Sequence, residues 1–222
     1  MIWRKASKQA HKKRPSKKLL QHFSSMLVAA VKTAWQIGLF SAWNGNASIR
    51  LPKPFENYLL ITATKSYKGT ITEKDISLIT LNGSLCMGRP MSSETKVHLV
   101  LYKTVECQVI FHTHPPFLLA LETKMPISEL FSIPIFEARL WNKPFGTVGV
   151  HNPGSIELAC AVKNEATTLL SPSHESKTGC IWMQEHGLCV WGTTIDDALA
   201  ASEELEHLAR ISLLGGYVGE HA

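Results

Sequence analysis

Apolar residues recur at steps of three and four along Leu19, Leu20, Phe23, Leu27, Ala30, Val31 and Ala34, the stripe of an amphipathic helix laid against a core. Gly38 is its expected stop. Short β-like runs follow at residues 47–50, 58–62 and 76–81, and Asn82-Gly83 predicts a type I′ hairpin into residues 84–87. Ser92 or Ser93 can cap a helix reaching about Tyr102, after which the apolar run 108–111 reads as a buried strand ending at His112. Pro153-Gly154-Ser155 opens another helix, and residues 179–184 with 188–191 form a strand pair around Glu185-His186-Gly187. Thr194, with Asp197 three residues on, starts a last helix whose Leu199, Leu205, Leu208, Ile211 and Leu213 supply a core face. No repeat and no long linker interrupts this order, so the pattern predicts one α/β domain with a central, mainly antiparallel sheet flanked by helices.

Composition changes this picture only at the N-terminus. The chain has 222 residues, 45% hydrophobic and 18% charged, enough apolar material for a single large core. Its net charge of +5 is unevenly placed: residues 1–18 hold eight of the 23 basic residues and no acid, while the other 204 residues carry 15 basic against 18 acidic groups. The pI therefore belongs to a basic tail, expected to be disordered and dispensable, preceding a domain at 19–222. Nucleic-acid binding has little support, since the tail has no interleaved aromatics beyond Trp3. No run approaches 18 apolar residues, so no membrane span is expected. Five cysteines without a C-x-x-C pair argue against a disulfide framework or a thiolate zinc knuckle, and point to a reducing, cytoplasmic setting.

The chemistry concentrates at His112-Thr113-His114. At the end of a strand, residues i and i+2 point to one side, so two imidazoles can reach one ion. A lone H-x-H pair is weak, but His186 at another strand end supplies a third imidazole and leaves coordination positions open for water or substrate. Such a set suits a borderline divalent ion, zinc first, with manganese, cobalt and nickel also fitting.

Taken together, Asn44-Gly45-Asn46-Ala47-Ser48-Ile49-Arg50, Pro90-Met91-Ser92-Ser93-Glu94, Phe111-His112-Thr113-His114, Pro153-Gly154-Ser155 and Glu185-His186-Gly187 resemble the class II aldolase/adducin family, most nearly its fuculose-1-phosphate aldolase branch. The resemblance covers roughly residues 20 to 215. It implies a three-layer fold, a metal held by His112, His114 and His186, and Glu94 as the carboxylate that handles a proton at the carbon that becomes nucleophilic. His98, four residues after Glu94, can orient it or be an ordinary core histidine. Gly45 and Asn46, Thr64 and Lys65, and Ser92 and Ser93 match segments that cradle the substrate phosphate. Lys65 departs from the pattern, because the family commonly has glycine there; its ammonium can pair with phosphate or obstruct a backbone donor. Trp43 likewise stands where smaller residues are usual. Glu137 and Tyr217 fall where relatives place further acid/base groups.

The resemblance further implies symmetric tetramers with sites at subunit boundaries, and reversible cleavage of a ketose or deoxyketose 1-phosphate to dihydroxyacetone phosphate and an aldehyde. A ribulose-phosphate 4-epimerase or a methylthioribulose-phosphate dehydratase would use the same scaffold. An adducin-like binding module would not need the metal histidines, all of which are present.

Overall fold

The computed structural model describes residues 14–170 and 177–218. Eight strands form one sheet: β1 (Asn46–Arg50), β2 (Tyr58–Thr62), β3 (Ile76–Thr80), β4 (Leu85–Met87), β5 (Val109–Thr113), β6 (Phe145–Val148), β7 (Gly179–Met183) and β8 (Gly187–Gly192). Their spatial order is β4-β3-β2-β1-β5-β8-β7-β6. Every neighbouring pair is antiparallel except β6 with β7, which meets the sequence expectation of a mainly antiparallel sheet.

Six α-helices cover the sheet: α1 (Lys17–Gln36), α2 (Thr95–Thr104), α3 (Pro116–Glu122), α4 (Phe136–Leu140), α5 (Ile156–Leu169) and α6 (Ile195–Gly215). One face packs Leu27 and Val31 of α1, Leu118 and Leu121 of α3, and Leu205 and Leu208 of α6 against Leu60, Phe111 and Val190. The other packs Val97 and Leu101 of α2 and Leu158 and Val162 of α5 against Ile61, Ile110 and Ile181. Since successive strand residues face opposite sides, Ile110 and Phe111 serve different helical layers, and β5 is buried throughout. The result is the expected three-layer arrangement.

Several local expectations are corrected. Helix α1 begins at Lys17, where the Ser16 side chain accepts from Leu19 N, so the last two residues of the basic stretch are helical; residues 1–13 lie outside the described part. The 82–83 turn is not type I′, which needs positive φ at both central residues. Only Gly83 is left-handed (φ +82), and Gly83 N donates to Thr80 O at 2.8 Å, the geometry of a longer loop closed by a glycine bulge. Helices α3 and α4 and edge strand β6 were not foreseen. The Thr194–Asp197 capping box and the Ser155 cap form as expected.

Candidate active site

The strand register places the histidines. In the β1–β5 pair Asn46 lies opposite His112, and in the β5–β8 pair Thr113 lies opposite Leu188. Both neighbours run against β5, so the start of β1 and the β7–β8 turn flank its end. His112 and His114 leave β5 there, His186 comes from the turn, and Glu94 arrives from the segment before α2.

Two glycines permit this approach. Gly45 has φ +74, and a Cβ there would sit 2.5 Å from the Phe40 ring and 2.6 Å from His112 O. Gly187 has φ +151, and its Cβ would collide with Thr113 O. Glu185, beside His186, is left-handed without being glycine (φ +57). Its N–H donates to Glu122 Oε2 at 2.9 Å, while Trp182 Nε1 donates to Glu122 Oε1 at 2.7 Å, so a carboxylate from α3 pins the turn. Sequence reasoning missed Glu122, which carries no motif.

The four candidate ligand groups gather closely: one donor atom each from Glu94, His112, His114 and His186 lies within 4.8 Å of all the others. His112 Nε2 stands 2.9 Å from Glu94 Oε2, and His186 Nε2 stands 2.9 Å from Glu94 Oε1. His114 Nε2 lies 3.0 Å from His112 Nε2. His112 Nδ1 faces Leu188 O at 3.2 Å, which directs its proton there and turns the Nε2 lone pair into the cluster. Glu94 Oε1 is buried, and its close polar neighbour, His186 Nε2 at 2.9 Å, does not meet it in hydrogen-bond geometry. Lone pairs converging on one point, with an orphaned carboxylate oxygen among them, fit a divalent cation. Burial would raise the Glu94 pKa, but neighbouring His112 and His186 reverse this and hold it below the usual carboxylate range. Burial, aided by His112 and His186, pulls His114 down to about 3, which keeps that imidazole neutral and able to ligate.

Glu94, rather than Ser92 or Ser93, occupies the N-cap position of α2, which starts at Thr95, but its side chain makes no capping bond. Ser92 Oγ accepts instead from Glu94 N at 3.3 Å. The carboxylate is held by a buried chain of polar groups. Asn46 Nδ2 donates to Glu94 Oε2 at 2.9 Å, and Asn46 Oδ1 bonds His98 Nε2. His98 Nδ1 meets Ser48 Oγ at 2.7 Å, and Ser48 Oγ meets the Tyr102 hydroxyl at 2.9 Å. Because Asn46 presents its oxygen to His98, the proton of that ring sits on Nε2. Burial, then His112, lowers the His98 pKa to about 3, so the ring stays neutral. His98 is thus both a satisfied core histidine and an orienting group, acting on Glu94 through Asn46.

Beside the cluster opens a cleft of about 410 Å³, lined by Gly45, Asn46, Thr64, Lys65, Ser92 and Ser93 together with Trp43, Lys68, Glu94, His114 and His186. All six residues expected to cradle phosphate therefore meet at one place. Thr64 N donates to Pro90 O at 2.9 Å, and Ala63 bridges Met91, which joins two of the three segments. Lys65 is exposed with φ +53, the left-handed conformation that explains why glycine suits the position. Trp43 is 65% exposed, with its ring edge-on to Tyr67. Glu137, exposed on α4, and Tyr217, packed beside Gly215, do not line the cleft.

Residues 25–213 match the family model for the Class II Aldolase and Adducin N-terminal domain. An L-fuculose phosphate aldolase of Methanococcus maripaludis is 30% identical over 77% of this chain and 84% of its own length. A 3-oxo-tetronate 4-phosphate decarboxylase of Haemophilus influenzae is 27% identical over 84% of each. The crystal structure of a sugar-phosphate aldolase from Thermotoga maritima superposes with a TM-score of 0.72 at 23% identity, covering 93% of this chain and 98% of that one, a likeness of fold. The candidate metal ligands, the carboxylate and the fold agree with the sequence match: the chain belongs to the class II aldolase and adducin family, as one of its metal-dependent lyases.

Proposed function

We propose that the protein cleaves a ketose or deoxyketose 1-phosphate of the fuculose 1-phosphate type, reversibly, to dihydroxyacetone phosphate and an aldehyde. The observation that carries this reading is a three-histidine, one-carboxylate cluster opening into the same cleft as three segments rich in neutral anion donors. A substrate for such a cleft has vicinal oxygens at one end and a phosphate at the other. Zinc is the ion proposed for His112, His114 and His186. When bound, it supplies a fixed positive charge beside the ketose oxygens, where negative charge develops as the carbon–carbon bond breaks.

The chain's own groups do the rest. Thr64, Ser92 and Ser93 offer hydroxyls to the phosphate, and the Gly45–Asn46 turn brings backbone and amide donors. Glu94, ionised and held by Asn46, takes and returns the proton on the carbon that becomes nucleophilic. The substrate hydroxyl whose proton must leave needs a second base. Glu137 and Tyr217 remain the candidates, and each would have to be delivered by a neighbouring copy, consistent with a homotetramer.

Decarboxylation of a 3-oxo-acid phosphate is the second reading, favoured by the Haemophilus influenzae relative. It breaks a carbon–carbon bond next to the same ketone and calls for no base at a leaving aldehyde. Zinc-loaded protein assayed against ketose 1-phosphates, ribulose 5-phosphate and a 3-oxo-tetronate 4-phosphate separates the outcomes. Release of an aldehyde together with dihydroxyacetone phosphate supports the aldolase, carbon dioxide released from the 3-oxo acid supports the decarboxylase, and epimer formation without release would replace both.

A further inference from the structure

Among the described residues Lys68 is the only buried lysine or arginine, 2% exposed, and it lines the cleft with Thr64, Ser92 and Ser93. Its Nζ donates to Ser66 O at 2.9 Å and Trp43 O at 3.2 Å, and its own N–H donates to Ala42 O at 3.0 Å. Both partners of the ammonium are neutral carbonyls. No carboxylate among the described residues forms an ion pair with it. Burial, only partly offset by Asp75, pulls its pKa down to about 8.

A cation taken out of water without a counter-charge is expensive, and such groups persist where something compensates them. An ammonium has three donors, and two are occupied here. That leaves one donor and an unmatched charge on a residue lining a cleft whose other walls carry hydroxyls and a glycine turn, a combination suited to a tetrahedral anion with several acceptor oxygens. Lys65, exposed at the rim, has its charge screened by water.

We propose that Lys68, rather than Lys65, is the charge complement of the substrate phosphate and sets the preference for phosphorylated ligands. The inference rests on the sugar-phosphate reading above and names the residue that enforces it. Lys68 also ties the loop at Ala42 and Trp43 to the segment carrying Thr64, so the test must separate charge from scaffolding.

Metal-loaded wild type, Lys68→Met and Lys65→Gly are titrated with dihydroxyacetone phosphate and with dihydroxyacetone, with metal content measured in each. Lys68→Met should lose roughly ten- to a hundredfold in affinity for the phosphate ligand, the range for a charge-assisted hydrogen bond. Dihydroxyacetone affinity and metal content should be unchanged, and any loss of phosphate-ligand affinity in Lys65→Gly should be much smaller than in Lys68→Met. Should Lys68→Met fold poorly, Lys68→Gln retains an amide donor for the carbonyls while removing the charge and should show the same selective loss. Undiminished phosphate affinity in a folded Lys68 variant overturns the proposal. So does an equal loss for both ligands, which marks a purely structural clamp, or a selective loss confined to Lys65→Gly. Wild type that does not prefer the phosphorylated ligand refutes the sugar-phosphate reading itself, and this inference with it.

Discussion

Replacing Glu94 by glutamine tests the proposed chemistry most directly, because the structure dictates how the new side chain must sit. Asn46 Nδ2 donates to Glu94 Oε2, so the glutamine must present its oxygen there; an amide nitrogen would set two donors against each other. The NH₂ group then falls at the former Oε1 position, 2.9 Å from His186 Nε2. Two effects follow, of different size. Donation to the His186 lone pair competes with metal at about the strength of a neutral hydrogen bond, 0.5–1.5 kcal/mol, so metal affinity falls by about tenfold or less. Loss of the proton acceptor costs about 10² to 10⁴-fold in rate, or roughly 3–5 kcal/mol in the barrier. The assay is deuterium incorporation into dihydroxyacetone phosphate in D₂O, at metal concentrations that keep both proteins loaded. It reads proton transfer without requiring the aldehyde partner. A metal-replete Glu94→Gln protein that exchanges at near the wild-type rate would refute the assignment of Glu94 as the base.

Three other outcomes are expected. His186→Ala should leave the sheet intact but lower metal content by elemental analysis, since one of four clustered donors is gone; full tight binding would remove His186 from the ligand set. Gly45→Ala should destabilise by about 2 kcal/mol or more, because the left-handed φ alone costs about 1–2 kcal/mol and the Cβ would press on Phe40 and His112 O; an unchanged denaturation midpoint would contradict this. For metal-free protein, His98 has a folded pKa of about 3 against 6.5 unfolded. Between those values the unfolded chain binds the extra proton, so stability is lost as pH falls from about 6.5 towards 3, approaching about 1.4 kcal/mol per pH unit from this group. His98→Gln should show a slope of stability against pH shallower by one proton, and identical slopes would mean that His98 titrates normally.

The convergence of the three histidines is legible in the sequence because strand periodicity puts His112 and His114 on one side, and because His186 sits in a turn bounded by two apolar runs. The helical stripe of α1 and the capping box of α6 were equally plain. Helix α3 is not legible because it opens on Pro116, directly after Pro115, and runs only seven residues, too short to display a period. Edge strand β6 has four residues, of which Gly146 and Val148 are buried on either side of exposed Thr147, too short a run to show an alternation. Lys68 and Glu122 were invisible for another reason. Lys68 is buried against the Ser66 and Trp43 carbonyls and Glu122 accepts from Trp182 Nε1 and Glu185 N, and nothing in the residue type announces either arrangement.

The antiparallel flanking of β5 by β1 and β8 has a consequence for how the protein comes to be folded. Its candidate metal ligands span Glu94 to His186, and their convergence requires the pairing of β5 with β8 across the intervening residues 114–186, a loop closure of high entropic cost that helical contacts do not demand. Metal capture in this geometry cannot precede the central sheet, and any ion bound preferentially by the folded chain stabilises it by mass action. Metal availability during synthesis would therefore raise the yield of native protein as well as its activity, and chelation would be felt first by whatever part of the population had not yet closed the middle of the sheet.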